Sequence, residues 1–154
     1  LICGFVVGGM VRGILVGTLV LIVSIFFTGL SLANHNFIII LSFAILASLI
    51  FSLAGLVNGI YAKTIDGINI VPTFVLTPLV YLGGIFYSVQ NLPELWRNFT
   101  FINPLFYLIN GFRYGFLGTT DVSIWLSITI LFSLIIVLVS INLYLIRTGL
   151  GLKQ

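Results

Sequence analysis

Long apolar runs without a charge, separated by short polar stretches, dominate this chain. Each run approaches the roughly 20 residues that an α-helix needs to cross a bilayer. The short polar connection 31–36, which contains His35, predicts a tight hairpin between the first two runs. We therefore predict an all-α integral membrane protein with four transmembrane helices, at about residues 13–30, 37–61, 68–87 and 124–146.

Two prolines, Pro72 and Pro78, interrupt the third run. Each proline removes a helix hydrogen bond and kinks the helix axis. A membrane helix tolerates such a kink where neighbouring helices or a cavity satisfy the freed carbonyl groups. A kinked helix often moves or lines a path, but a kink can also serve only to improve packing, and the sequence leaves both interpretations open.

The segment 92–118 is too polar at its start to be a further simple span. We predict that it forms two short helices, a re-entrant or interfacial pair between the last two spans. Pro93 suits the first turn of one helix. Asn103 is a good N-cap for the second helix, with Pro104 at its first position.

Arg113 falls within the second of these short helices, which is expected to end near Gly115 or Gly118. A charge at this depth is costly when it faces lipid, so we expect Arg113 to face water, a partner helix or a carboxylate. The structural alternative is an arginine whose side chain snorkels to the membrane interface.

Small residues recur at the four-residue spacing that lets helix backbones approach closely in lipid. The candidate packing contacts are Gly13 with Gly17 and Gly55 with Gly59, and Asn58 is placed to hydrogen-bond to a neighbouring helix. A chain with 16 glycines also produces such pairs by chance, so we interpret them as simple packing.

Composition supports the membrane assignment, because 60% of the 154 residues are hydrophobic and 6% are charged. The net charge of +3 is too small and too dispersed to indicate nucleic-acid binding. Cys3 is the single cysteine, which excludes an intrachain disulfide. The first residues are apolar without the features of a signal peptide, and we interpret the chain as a C-terminal fragment.

The basic residues predict an orientation in the membrane. With four crossings they divide into Arg12, Lys63, Arg147 and Lys153 on one side and Arg97 and Arg113 on the other. The positive-inside rule favours the first side as cytoplasmic. The C-terminus is then cytoplasmic, while the His35 hairpin and the short helical pair face outward.

The sequence does not show the residues that several kinds of chemistry require. There is no phosphate-binding loop of the Gly-x-x-x-x-Gly-Lys-Ser/Thr type. The three carboxylates, Asp66, Glu94 and Asp121, all fall at the ends of predicted spans, which argues against a proton-coupled carrier and against hydrolysis. If the protein transports a substrate, its energy is expected to come from another polypeptide.

Three groups of landmarks, taken in order, resemble the ABC-2 type permeases, which are membrane subunits of ATP-binding-cassette exporters. The groups are Gly8-Gly9-Met10-Val11-Arg12-Gly13, then Asp66, Pro72, Pro78 and Gly83-Gly84, then Leu92-Pro93, Asn103-Pro104 and Arg113. The resemblance covers nearly the whole chain. It implies that the four spans correspond to helices three to six of six, with an outward re-entrant pair between the last two.

The resemblance also implies a bacterial inner-membrane exporter, built from a permease homodimer and ABC ATP-binding subunits. ATP and Mg would be held by those subunits, so this chain would carry no cofactor and would not itself be an enzyme. Family substrates include drugs, polysaccharides, lipo-oligosaccharides and other amphiphiles, so the substrate is not fixed. The candidate pathway or gating residues are Pro72, Pro78, Gly83, Gly84, Pro93, Asn103, Pro104 and Arg113.

Two other functions stay open at this point. A membrane structural or assembly protein that transports nothing would explain the glycine pairs and the interfacial aromatic residues equally well. One half of a secondary carrier is a third reading, against which the absence of mid-span carboxylates counts.

Overall fold

The computed structural model describes residues 2–28, 36–62, 64–85 and 93–149, and all its regular elements are helical. They are α1 (Ile2–Thr28), α2 (Phe37–Tyr61), α3 (Ile65–Val71), a π-helical turn (Pro72–Leu76), α4 (Thr77–Tyr81), α5 (Glu94–Ile102), α6 (Pro104–Leu117) and α7 (Ile124–Thr148). The all-helical prediction is confirmed for this part of the chain. The His35 hairpin, Lys63, Tyr87, Leu92 and Lys153 lie outside the described residues.

Three of these helices are long and apolar enough to cross a membrane, and each candidate span has 25 residues. The spans are Cys3–Phe27 in α1, Phe37–Tyr61 in α2 and Ile124–Thr148 in α7. The fourth predicted span corresponds to α3, the π-helical turn and α4, which have seven, five and five residues. The count of four crossings therefore stays a prediction.

Helix α1 begins at Ile2, well before residue 13, where the sequence pattern placed the start of the first span. The sequence prediction used the charge of Arg12 as a boundary. In the fold, Val6 is buried in the same cluster as Leu53 of α2. The residues before Arg12 are therefore held as helix by packing against α2, because burial of an apolar face stabilises a helix beyond its local propensity.

The third run contains a π-helical turn, which begins at Pro72 and ends two residues before Pro78. The carbonyl of Pro72 accepts the backbone N–H of Thr77, five residues later, and the Thr77 hydroxyl also donates to it at 3.2 Å. Pro78 follows directly and has no N–H to donate. Such a turn inserts one residue into the regular helical repeat, which is how this chain accommodates its prolines.

Helix α2 lies at the centre of the fold, in contact with α1, α6 and α7. The apolar core combines side chains from these helices, and among its members are Val6, Phe43, Leu46, Ile50, Leu53, Leu105, Phe106, Leu131 and Ile135. At the end of α2, the Asn58 amide donates to the carbonyl of Ile68 at 2.8 Å. The hydrogen bond predicted for Asn58 is therefore present, and it ties α2 to α3.

Candidate functional site

The turn between α5 and α6 is built around Asn103, which is 3% exposed. Its side-chain oxygen accepts the N–H of Leu105 at 3.0 Å, so the predicted N-cap is confirmed, with Pro104 at the first helical position. Its amide nitrogen donates to the carbonyl of Leu79 at 2.6 Å. The Asn103 side chain thus accepts a hydrogen bond from a backbone N–H in the first turn of α6 and donates one to a backbone carbonyl of α4.

The other end of α6 lies at the beginning of α2. Asn36, just before α2, donates its N–H to the carbonyl of Gly115 at 3.1 Å. The left-handed Gly118, with φ of +70°, then caps the helix, as the sequence predicted.

From that end, α6 runs antiparallel to α2, because Gly115 packs on Ile40 and Gly111 on Phe43. A side chain at either glycine would collide with α2. Helix α6 therefore lies alongside a candidate membrane-spanning helix and turns back at Asn103. Whether this pair is re-entrant or interfacial stays a prediction; a re-entrant helix needs its backbone groups satisfied by protein at membrane depth.

Arg113 links three segments of the chain. Its guanidinium pairs with the carboxylate of Asp121, in the connection before α7, and donates to the carbonyl of Gly84, in the turn after α4. The two charged side chains are 18% and 10% exposed. Of the alternatives for Arg113, the structure therefore shows the carboxylate partner.

Asn110 forms a second polar centre next to Arg113, and the sequence analysis missed it. It is fully buried, and its amide nitrogen donates to the Val122 carbonyl at 3.0 Å and to the Ser127 hydroxyl at 3.1 Å. Its oxygen accepts from the Thr120 hydroxyl and from the Asp121 N–H, both at 2.9 Å. An asparagine three residues before an arginine shares its helix face, which is the sequence signal that was available.

These contacts define the clamp of α6, by which we mean Gly84, Asn110, Arg113, Thr120 and Asp121. The clamp fixes α6 to the end of α4 and to the start of α7 through charged and neutral hydrogen bonds. Gly83 adjoins it, since a Cβ there would lie 2.5 Å from Cδ1 of Ile109. The fold thus brings Gly83, Gly84 and Arg113 together, with Asn103 and Pro104 at the opposite end of the same helix.

The remaining proline candidates lie apart from the clamp. Pro72 and Pro78 are exposed on the third helical segment, and Pro93 is exposed at the start of α5. The pathway or gating role of all these candidates stays a prediction.

Two of the glycines in α1 hold it close to α2. A Cβ at Gly13 would lie 2.8 Å from the Ser48 hydroxyl, and one at Gly9 would overlap Ser52. Ser52 also donates to the Val6 carbonyl at 3.2 Å. By contrast, a Cβ at Gly17, Gly55 or Gly59 would meet no atom of the described residues within 4 Å.

The same contacts place Arg12 level with the middle of α2. Gly13 faces Ser48 and Gly9 faces Ser52, so Arg12 is level with Leu49, the middle residue of Phe37–Tyr61. Arg12 was predicted at the cytoplasmic boundary, together with Lys63. The packing register between α1 and α2 puts the charge level with the middle of a candidate span, and its position relative to the membrane boundary stays a prediction.

Beside Arg12, the open sides of α1 and α2 form a cleft. One part has a volume of about 530 Å³ and is lined by Arg12, Gly13, Gly17, Ser48, Phe51 and Phe112, among others. A second part of about 590 Å³ shares Gly17, Ala44 and Phe112 with the first and continues to Phe116. We call the two parts together the α1/α2 cleft; among the described residues, Arg12 is the only charged one that lines either part.

Apolar 25-residue helices, a helical pair that turns back at a buried Asn-Pro and a clamp of buried polar groups define a multi-pass helical membrane protein. Within that class, residues 1–117 match the model of the ABC-2 type transporter family, and the chain belongs to this family. The resemblance drawn from the sequence landmarks is therefore confirmed.

Named relatives of the chain also support membership of this family. The chain is 46% identical over all 154 residues to proteins named inner membrane transport permease YadH in Escherichia coli K12, Escherichia coli O157:H7 and Shigella flexneri. It spans 59% of the length of each of these relatives. No solved structure matches the chain significantly.

Proposed function

We propose that the protein containing this chain is the permease of an exporter in the bacterial inner membrane. Membership of the ABC-2 type transporter family carries the proposal, and the name of the YadH relatives supports the membrane and the transport role. The chain would contribute helices of the substrate path, and a separate ATP-binding subunit would supply the energy. A second copy of the permease completes the proposed complex.

The positions of the acidic residues support an external energy source. Asp66 lies in the first turn of α3, Glu94 begins α5 and Asp121 precedes α7. Glu94 lies 3.9 Å from Arg97, and Asp121 pairs with Arg113. Among the described residues, no carboxylate therefore lies in the middle of a candidate span, where a proton-coupled carrier needs one.

The clamp of α6 suggests how closure of the ATP-binding subunits could reach the re-entrant pair. Any movement of α4 or of the start of α7 pulls on Gly84 or Asp121, and both are bound to Arg113. In this proposal α6 moves with those segments and opens the path on the outer side. ATP and Mg stay on the partner subunit throughout.

Co-purification tests this function directly. The full-length parent protein, purified from its native membrane, should bring an ABC ATP-binding subunit at near-equal amount, with vanadate-sensitive ATP hydrolysis. A preparation without such a subunit and without ATP hydrolysis would contradict the exporter and favour the structural or assembly protein. Transport that depends on an ion gradient and survives ATP depletion would instead indicate a secondary carrier.

A further inference from the structure

The backbone carbonyl of Ile68, in α3, accepts a hydrogen bond from another helix. In a regular α-helix this carbonyl would accept the N–H of the residue four positions later. That residue is Pro72, which has no N–H. The side-chain amide of Asn58, near the end of α2, donates to the Ile68 carbonyl at 2.8 Å. Asn58 therefore takes the place of the donor that Pro72 lacks.

Two further carbonyls of the third run are bound in the same way. The Leu79 carbonyl accepts the Asn103 amide at 2.6 Å, and the Gly84 carbonyl accepts from Arg113. The third run is thus attached near both of its ends by side chains that donate to its backbone. The π-helical turn lies between the attachment at Ile68 and the attachment at Leu79.

Helix α3 is a short unit with a start of its own. Thr64 caps it, because the Thr64 hydroxyl accepts the Gly67 N–H at 3.1 Å. The helix has seven residues, and an isolated helix of that length is not stable in water. Since the N–H of Pro72 is missing, a bond that would join α3 to the next turn is replaced by a bond to α2. The position of α3 therefore depends on Asn58.

We propose that the hydrogen bond from Asn58 to the Ile68 carbonyl is a latch, by which we mean a contact that holds α3 on α2 and can open. Opening the latch breaks one side-chain hydrogen bond and no hydrogen bond of the helix backbone. Helices bend at prolines and at π-helical turns, so α3 then swings about the turn at Pro72–Leu76. Asn103 and Arg113 meanwhile keep the other end of the run in place.

Hydrogen–deuterium exchange of the full-length parent protein, in lipid nanodiscs and without ATP, tests the latch. Asn58→Leu removes the donor and nearly keeps the size of the side chain. We expect the amides of α3 to exchange about tenfold faster in this variant, as the loss of one hydrogen bond implies. Peptides of α7 should exchange at the wild-type rate.

The two prolines supply matched backgrounds for this measurement. In a Pro72→Ala protein the new N–H can donate to the Ile68 carbonyl, so Asn58→Leu should cause little further change. In a Pro78→Ala protein the new N–H lies ten residues after Ile68, out of reach of its carbonyl. There Asn58→Leu should still accelerate the exchange of α3 about tenfold.

A second variant keeps the test decisive if leucine at position 58 prevents folding. Asn58→Ala removes the amide without adding bulk, and it should give the same pattern in the three backgrounds. Each rate is compared with that of the same background carrying Asn58, so that effects of the proline changes alone cancel.

Four results would overturn the latch. Equal acceleration in all three backgrounds would mean that Asn58 acts independently of the donor missing at Pro72. No acceleration in any background would mean that Asn58 does not hold α3. Suppression by Pro78→Ala as well as by Pro72→Ala would mean that loss of any kink stiffens the run. Acceleration that extends to α7 would mean a general loosening of the fold.

The opening of the latch during transport rests on the proposed function. Trapping of the wild-type complex with ATP and vanadate should accelerate the exchange of α3 by severalfold and leave α7 unchanged. Unchanged α3 in a complex that hydrolyses ATP would contradict that opening. Absence of an ATP-binding subunit would contradict the exporter alone, because the comparison of proline backgrounds needs no ATP and still decides whether Asn58 holds α3.

Discussion

At the scale of single residues, buried polar side chains fix how α6 is placed against the neighbouring segments. Arg113 and Asn110 lie on one face of α6 and form hydrogen bonds with the turn after α4, with the connection before α7 and with α7 itself. Such groups are stabilising only as complete sets, because removing one partner leaves the others buried and unpaired. The clamp is therefore sensitive to changes that keep size but remove a charge.

Arg113→Ala should destabilise the protein by about 3 kcal/mol or more, since it leaves the Asp121 carboxylate largely buried without its cation. ATP-driven export by the full-length protein should fall while membrane insertion is retained. Arg97→Ala is the matched control, because its ion pair with Glu94 is 3.9 Å long and exposed. Thermal unfolding in detergent and transport in proteoliposomes measure the two effects.

A double-mutant cycle checks the physical reason given for Arg113. If the penalty comes from an orphaned carboxylate, Arg113→Ala combined with Asp121→Ala should cost clearly less than the sum of the single variants. Strict additivity of the two free-energy changes would show that the pair is not coupled. Wild-type export by Arg113→Ala would remove the case for a functional clamp.

At the scale of helices, small residues decide which surfaces meet. Gly9 and Gly13 of α1 face two serines of α2, and Gly111 and Gly115 of α6 receive larger α2 side chains. The four-residue spacing is the same in both contacts, so α2 is approached closely from two directions.

Gly9→Leu should separate α1 from α2, because even its Cβ would overlap Ser52. We expect a loss of about 1–3 kcal/mol from this overpacking. Gly4→Leu places the same side chain one turn and a half earlier, where it meets nothing, and should leave the unfolding midpoint nearly unchanged. Equal midpoints for the two variants would mean that the α1/α2 contact does not have this register.

Pro78→Ala restores a backbone N–H two residues after the end of the π-helical turn. We expect the segment to become at least as stable, and export to fall about tenfold if the turn moves during transport, which corresponds to about 1.4 kcal/mol on the barrier. Thr73→Ala, an exposed change within the same turn, serves as the control. A Pro78→Ala protein with wild-type transport would show that the kink serves packing alone.

At the scale of the whole molecule, the hydrogen bond between Asn36 and Gly115 puts the start of α2 and the end of α6 on one side. The predicted orientation makes that side the outside. Because Arg12 is level with the middle of α2, we leave it out of the charge count. Lys63, Arg147 and Lys153 still exceed Arg97 and Arg113, so the predicted orientation is kept.

Single cysteines in a Cys3→Ser background test that orientation in cells. Cysteine at Asn98, an exposed position of α5, should react with an impermeant thiol reagent from outside, and cysteine at Lys63 should react only after permeabilisation. Labelling in the reverse pattern would place the C-terminus outside.

Features that depend on neighbouring residues were predicted from the sequence, whereas features that depend on contacts between separate helices were missed. The cap at Asn103 and the stop at Gly118 depend on residues within one helical turn, and local chemistry was sufficient to predict them. The partner of Arg113 and the depth of Arg12 depend on how separate helices are placed against one another. The local sequence does not determine the packing register between two helices. A charged residue that was interpreted as the end of a span can therefore be level with the middle of a neighbouring helix.

The position of Arg12 has a consequence for biogenesis. An arginine at the centre of an inserting helix costs about 2.5–3.5 kcal/mol at the translocon, and the nearby glycines of α1 offset little of it. Their close fit to Ser48 and Ser52 is available only once α2 has been made. We therefore expect α1 to wait beside the translocon and to enter the lipid together with α2, as one hairpin.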